Sequence, residues 1–235
     1  MRQSYALTLA FLITPLSAGA QTVDPTALEV FASQASGYAH IFNGRIPEKY
    51  PNVFKGTYYL YSPQFIEGSL CYNGKYYENM WMNINAHKQE LYLLSPDRRQ
   101  YVLLDPELVS ELWLGEEAFV YYGQNAQAGL AKGFYELLAD GSCRLLKHTR
   151  TTYIERVNTQ QMVLDKFFEA SEQFFLVKDG RVYPIKNRNG LFKALGSHKR
   201  ELTRWAAQAP SIFRDQPEEA YIQCVRYYEY LLSQE

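Results

Sequence analysis

Three two-residue punctuation marks limit this chain more than anything else in it: Asn73-Gly74, Asp140-Gly141 and Asp179-Gly180. Asn-Gly and Asp-Gly tolerate positive φ at both central positions, which the tight turn of a β-hairpin requires. The residues flanking each pair alternate between apolar and polar with a period of two, the spacing of a strand with one buried face. FKGTYYLY and FIEGSLCY precede the first turn, and KYYENMWMNIN follows it. ELYLL and QYVLLD flank SPDRR, AFVYYG follows LWLG, GFYELLADGSCRLLKHTR brackets the second turn and EQFFLVKDGRVYPIK the third. These intervals predict a mainly β fold, an antiparallel meander of roughly nine to eleven strands built as a sandwich, roll or open barrel. Twenty tyrosines agree with that reading, because aromatic side chains favour strands.

Both ends differ. MRQSYALTLAFLITPLSAGAQTVD has one early cation, Arg2, then an apolar run and the small-x-small signature Ala18-Gly19-Ala20. This predicts a signal peptide over residues 1–20, cleaved after Ala20, and hence an exported protein, periplasmic or associated with the outer envelope. No cysteine follows the cut to carry a lipid, and no later stretch is apolar for long enough to span a bilayer. Residues 21–53 read as a helix, with Asp24 as cap and Leu28, Phe31, Ala32 and Ala35 on one stripe, followed by an irregular lead-in. The β domain is expected over 54–188. Residues 189–235 are expected to add a pair of α-helices packed on it. Ser197 caps the first of these and Pro210 stops it. Asp215 and Glu218 make a capping box for the second, with Tyr221, Cys224, Val225 and Tyr228 on its apolar stripe.

The quoted segments, in this order over residues 40–232, resemble a family of uncharacterised exported β-rich proteins from Gram-negative bacteria. That resemblance implies the fold and the export. The family has no established activity, so it implies no functional residue.

Chemistry is sparsely marked. Cleavage removes Arg2, so 24 Lys+Arg become 23 against 25 Asp+Glu, a net charge of −2 that gives no reason to expect nucleic acid as a partner. His40, His87, His148 and His198 have no metal-ligand spacing, and no cofactor motif or GxSxG elbow is present. His87 reads as a turn histidine, or as a base beside Glu90. The glutamates 67, 78, 90, 116 and 117 leave a glycan hydrolase as an alternative, since such enzymes need two carboxylates at a set separation. Cys71 and Cys143 lie beside hairpin turns and Cys224 on a helix stripe; no bridge is predicted.

The stronger expectation is a non-catalytic interaction module that recognises an envelope protein or a glycan. Strand alternation puts Tyr77, Asn79, Trp81, Asn83 and Asn85 on one face, and Tyr77, Trp81 and Asn83 are the candidate ligand contacts, rings and amides being what sugars are held by. A second candidate is cationic. Residues 181–204 hold seven Lys/Arg and one acid, a charge of +6, and Arg188, Lys193, Lys199, Arg200 and Arg204 within them form a possible patch for an anionic partner. The competing reading pairs these cations with the five acids and one arginine that follow from Asp215. Oligomeric state is left open.

Overall fold

A computed structural model of the protein describes residues 41–48, 50, 55–124, 127–158, 163–208 and 211–234. The expected signal peptide, its cleavage after Ala20 and the helix after Asp24 lie outside the described residues. Ile41–Glu235 forms one compact unit.

Ten strands make a single antiparallel sheet: β1 (Ile66–Tyr72), β2 (Lys75–Asn85), β3 (Glu90–Leu94), β4 (Tyr101–Leu104), β5 (Val109–Leu114), β6 (Glu117–Tyr122), β7 (Gly133–Ala139), β8 (Cys143–Asn158), β9 (Val163–Lys178) and β10 (Arg181–Ile185). Their spatial order is β10-β9-β8-β7-β6-β5-β1-β2-β3-β4. It is a meander broken once, where β5 returns to pair with β1 instead of β4. The sheet is not closed, and β10 and β4 are its edges. At two hairpins the turn chemistry acts as expected: Asn73 and Gly74 have φ 49° and 74°, and Asp179 and Gly180 have φ 51° and 70°.

One face of the sheet carries two cores. The first gathers Leu70, Met82, Leu91, Leu93, Leu112 and Leu114, each at most 2 % exposed, from β1, β2, β3 and β5. The second joins Cys143, Leu145 and Leu176 to the C-terminal helices through Leu191, Leu195, Leu202, Cys224, Val225 and Tyr228. Burying a side chain of this size contributes about 1.5–3 kcal/mol, so the helices have no separate core to fold around. Cross-strand register places both cores on the same face, through the row Leu112, Phe119, Glu136, Lys147 and Phe174.

Four helices stand where a pair was expected: α1 (Arg188–Leu195), α2 (Lys199–Ala207), α3 (Ile212–Asp215) and α4 (Pro217–Leu232). Asn187 caps α1, its Oδ1 accepting from Gly190 N at 2.9 Å. Ser197 does not cap α2; its hydroxyl meets Tyr228 OH at 3.1 Å, and His198, with φ 55°, holds the cap position. The Asp215–Glu218 box is not formed either, because Asp215 pairs with Arg214 and Glu218 is drawn to Lys147. In each case a partner from outside the helix outcompetes the local cap. Among the described residues no helix is long and apolar enough to cross a membrane.

The strand that leaves the second turn runs beyond the expected Arg150, to Asn158. β8 and β9 are 16 residues each, and their outer halves meet the β2–β3 turn. Thr151 N donates to Ala86 O at 3.1 Å, and Gln89 Nε2 donates to Thr149 O at 3.1 Å. The segment before β1 completes the wrap. Lys55 exchanges backbone bonds with β9 (to Lys166 O and from Phe168 N, both 3.0 Å), while Leu60 N donates to Ile84 O at 2.9 Å on β2. This strap bonds to both arms of the curled sheet.

Candidate binding face on the outside of the sheet

β1 and β2 pair with one irregularity that decides which side chains face out. Ile66, Glu67 and Gly68 lie opposite Met82, Trp81 and Met80, but Leu70 lies opposite Tyr77 and Cys71 opposite Tyr76. One extra residue has entered β2, at a bulge where Asn79 takes φ 55°. A one-residue slip moves every later side chain to the other face. Tyr77 therefore points into the first core at 6 % exposure, and Tyr76 points outward at 56 %. The expectation that Tyr77 shares a face with Trp81 and Asn83 is corrected by this bulge.

Asn83 does lie on Trp81's side of β2, but it is covered. Its amide donates to Ser62 O at 2.9 Å and Gln64 O at 2.8 Å, both in the strap. Asn85 is likewise engaged, accepting from His87 N and Lys88 N at 3.0 Å and donating to Tyr92 OH at 2.7 Å. Both amides satisfy backbone or hydroxyl groups that would otherwise be buried without partners. Trp81 is half-buried, with the Arg98 guanidinium 4.6 Å above its ring. Of Tyr77, Trp81 and Asn83, only Trp81 reaches the outer surface.

The bulge assembles a different surface. Across β5, β1 and β2 the outward row Glu111–Cys71–Tyr76 lies beside a second in which Trp113 faces Ser69, and beyond it Glu67 faces Trp81. Trp113, 44 % exposed, forms one wall of a trough, and Tyr76 and Trp81 form the other. Ser69 and Cys71 are the floor. Walls on the strands flanking β1 stand about 10 Å apart, two strand spacings. Glu67, Glu78 and Glu111 are exposed along the trough, and none of them is in an ion pair among the described residues. Trp113 is not among the sequence candidates, and LWLG sets it between Leu112 and Leu114, which both enter the first core. The available signal was alternation, which sets Trp113 opposite in direction to Leu112 and Leu114.

Elsewhere, charges are mostly structural. Glu136 and Glu218 converge on Lys147 Nζ at 2.7 and 3.0 Å, and Tyr61 OH donates to Glu136 at 2.7 Å. In this pair of carboxylates the shared ammonium occupies the space that a glycosidic bond would need. Glu90 accepts from Tyr92 OH at 2.9 Å, and His87 donates through Nδ1 to Thr151 O at 2.8 Å. The three cysteines are free thiols; Cys71 lies on the trough floor, while Cys143 and Cys224 are in the second core, where burial pushes each thiol up to about 12. Among the described residues no group of three or more His, Cys, Asp or Glu is arranged to hold a metal. A polar cleft of about 480 Å³ between the β2–β3 turn and the end of β4 is lined by Arg45, Lys88 and Lys132 together with Glu90 and Asp105.

The basic segment is organised otherwise than by pairing with the last helix. Lys193, Lys199, Arg200 and Arg204 are exposed on α1 and α2 and enter no ion pair among the described residues, and Arg188 lies over the Phe213 ring at 5.7 Å. The acids of α4 are engaged elsewhere: Glu218 with Lys147, Glu219 with Gln223 and Glu229 with Ser142.

Comparison of the chain with protein-family models, with curated proteins and with solved structures found no match in any of the three.

Proposed function

We propose that the protein is an exported, non-catalytic interaction module of the cell envelope or periplasm, which holds a protein or glycan partner on the outer face of β5, β1 and β2. Export rests on the signature of residues 1–20. The observation that carries the binding reading is the trough itself: two exposed aromatic rings, Trp113 and Tyr76, flank small residues on a sheet face whose opposite side is already packed. Rigid rings on a fixed strand lose little freedom when a ligand covers them, which is why Trp and Tyr recur at binding hot spots. Photo-crosslinking in the native cells tests this. A benzophenone side chain at position 113 or 76 yields a discrete adduct, and one at the exposed Glu169 yields none. Adducts at 169 with silence at 113 and 76 would overturn the assignment.

A second reading comes from Lys193, Lys199, Arg200 and Arg204 of α1 and α2, which are exposed, enter no ion pair among the described residues and suit an anionic envelope component. Co-sedimentation with phosphatidylglycerol vesicles, but not phosphatidylcholine vesicles, and release by raised salt are its expected results.

A further inference from the structure

Taking the trough as the binding face, we infer that its partner is cationic: a peptide segment that lays lysine or arginine side chains across Trp113 and Tyr76. Three features of the face converge on that chemistry. First, it carries three exposed carboxylates, Glu67, Glu78 and Glu111, that enter no ion pair among the described residues, while the Arg98 guanidinium beside them is already stacked on Trp81. Second, the Arg98–Trp81 stack at 4.6 Å is an internal example of the contact that the other rings offer a ligand, since the face of an indole or phenol attracts a guanidinium or ammonium. Third, register sets ring and carboxylate within the same or adjacent rows: Glu111 and Tyr76 are both direct neighbours of Cys71, and Trp113 lies one row along, beside Ser69. A cation over either ring can thus meet a carboxylate without leaving the trough.

Width supports an extended chain as occupant. Walls about 10 Å apart across a floor of small side chains admit one peptide strand with side chains directed to both sides. Glutamates at the margins favour its basic side chains over neutral ones and speed encounter at low salt.

Calorimetric titration of the purified protein with hexalysine, hexaarginine, hexaserine and chitohexaose tests the inference. The cationic peptides bind saturably and more weakly as salt is raised. Trp113→Ala weakens them by about fivefold, and Glu111→Gln by about threefold. Hexaserine and chitohexaose give no saturable heat. If chitohexaose or hexaserine binds as well as hexalysine and Trp113→Ala abolishes it, the face is a binding site but its partner is not cationic. If no probe binds and the substitutions change nothing, both this inference and the binding-face reading fail. Concentration-dependent self-association in sedimentation, abolished equally by Trp113→Ala and by Lys199→Glu with Arg200→Glu, would make a second copy of this chain the occupant and overturn the peptide.

Discussion

Lys147 Nζ lies 2.7 Å from Glu136 Oε2 across the β7–β8 pair, and both side chains are more than nine-tenths buried. Burial alone would lower the ammonium's pKa, but its bonds to Glu136 and Glu218 outweigh that and raise it. The pair sits in the row that joins the two cores, so it ties the curled half of the sheet to the helical half through Glu218. Lys147→Met leaves the Glu136 carboxylate buried without its ammonium, Tyr61 OH still donating to it, and is expected to cost about 3 kcal/mol. Adding Glu136→Gln returns part of that loss, since no charge then stays buried. Urea unfolding of the two variants measures both effects.

The bulge at Asn79 rests on a left-handed residue. Asparagine and glycine adopt φ near 55° readily, whereas a β-branched side chain does not. Asn79→Val is expected to destabilise by about 1–2 kcal/mol, and Asn79→Gly to be near neutral. Thermal melts of the pair separate a backbone requirement from a lost side-chain contact.

Gly68 permits β5 to approach β1. A Cβ there would collide with the carbonyl group of Trp113. Gly68→Ala should therefore cost about 2 kcal/mol and shift the Trp113 emission, because the strand that carries the indole must move. Urea unfolding and fluorescence on one sample report both.

His148 is 2 % exposed, donates through Nδ1 to Phe134 O at 2.9 Å and stacks on Tyr135 with ring centroids 4.3 Å apart. Its Nε2 is buried with no hydrogen-bond partner among the described residues. Burial first, with a smaller contribution from Arg150, lowers its pKa below the ordinary 6.5. The unfolded chain therefore takes up a proton near pH 6.5 that the folded chain refuses. Stability is whole above that value and is lost as pH falls through it toward the folded pKa. Urea midpoints from about pH 8 to 5 should fall more steeply for the natural protein than for His148→Gln.

Much of the sheet is legible in the sequence because its signals are local. Asn73-Gly74 and Asp179-Gly180 state their turns, and Leu112, Leu114, Met80, Met82 and Ile84 state their faces by alternation. What escapes is set by distant partners or by broken counting. Alternation sets Tyr77 on the outer face because it assumes one residue opposite one, and the bulge at Asn79 breaks that assumption. Asn83 read as a ligand contact because the strap carrying Ser62 and Gln64 is laid over it by pairings that no local pattern announces. Ser197 and Glu218 have the spelling of helix caps, yet Tyr228 and Lys147 take them. Helix α1 is eight residues with Gly190 inside, too short and too interrupted to stand out before its apolar face meets β9 and β10.

The claim on which the functional account rests is that Trp113 lies open on the outer face while Trp81 is sheltered. Acrylamide quenching of tryptophan emission, compared among the natural protein, Trp113→Phe and Trp81→Phe, tests it with little else assumed. The account predicts that Trp113→Phe removes most of the readily quenched emission and that Trp81→Phe leaves it nearly intact. If the quenchable fraction survives Trp113→Phe unchanged, Trp113 is covered, and the trough is not a surface that a partner can reach.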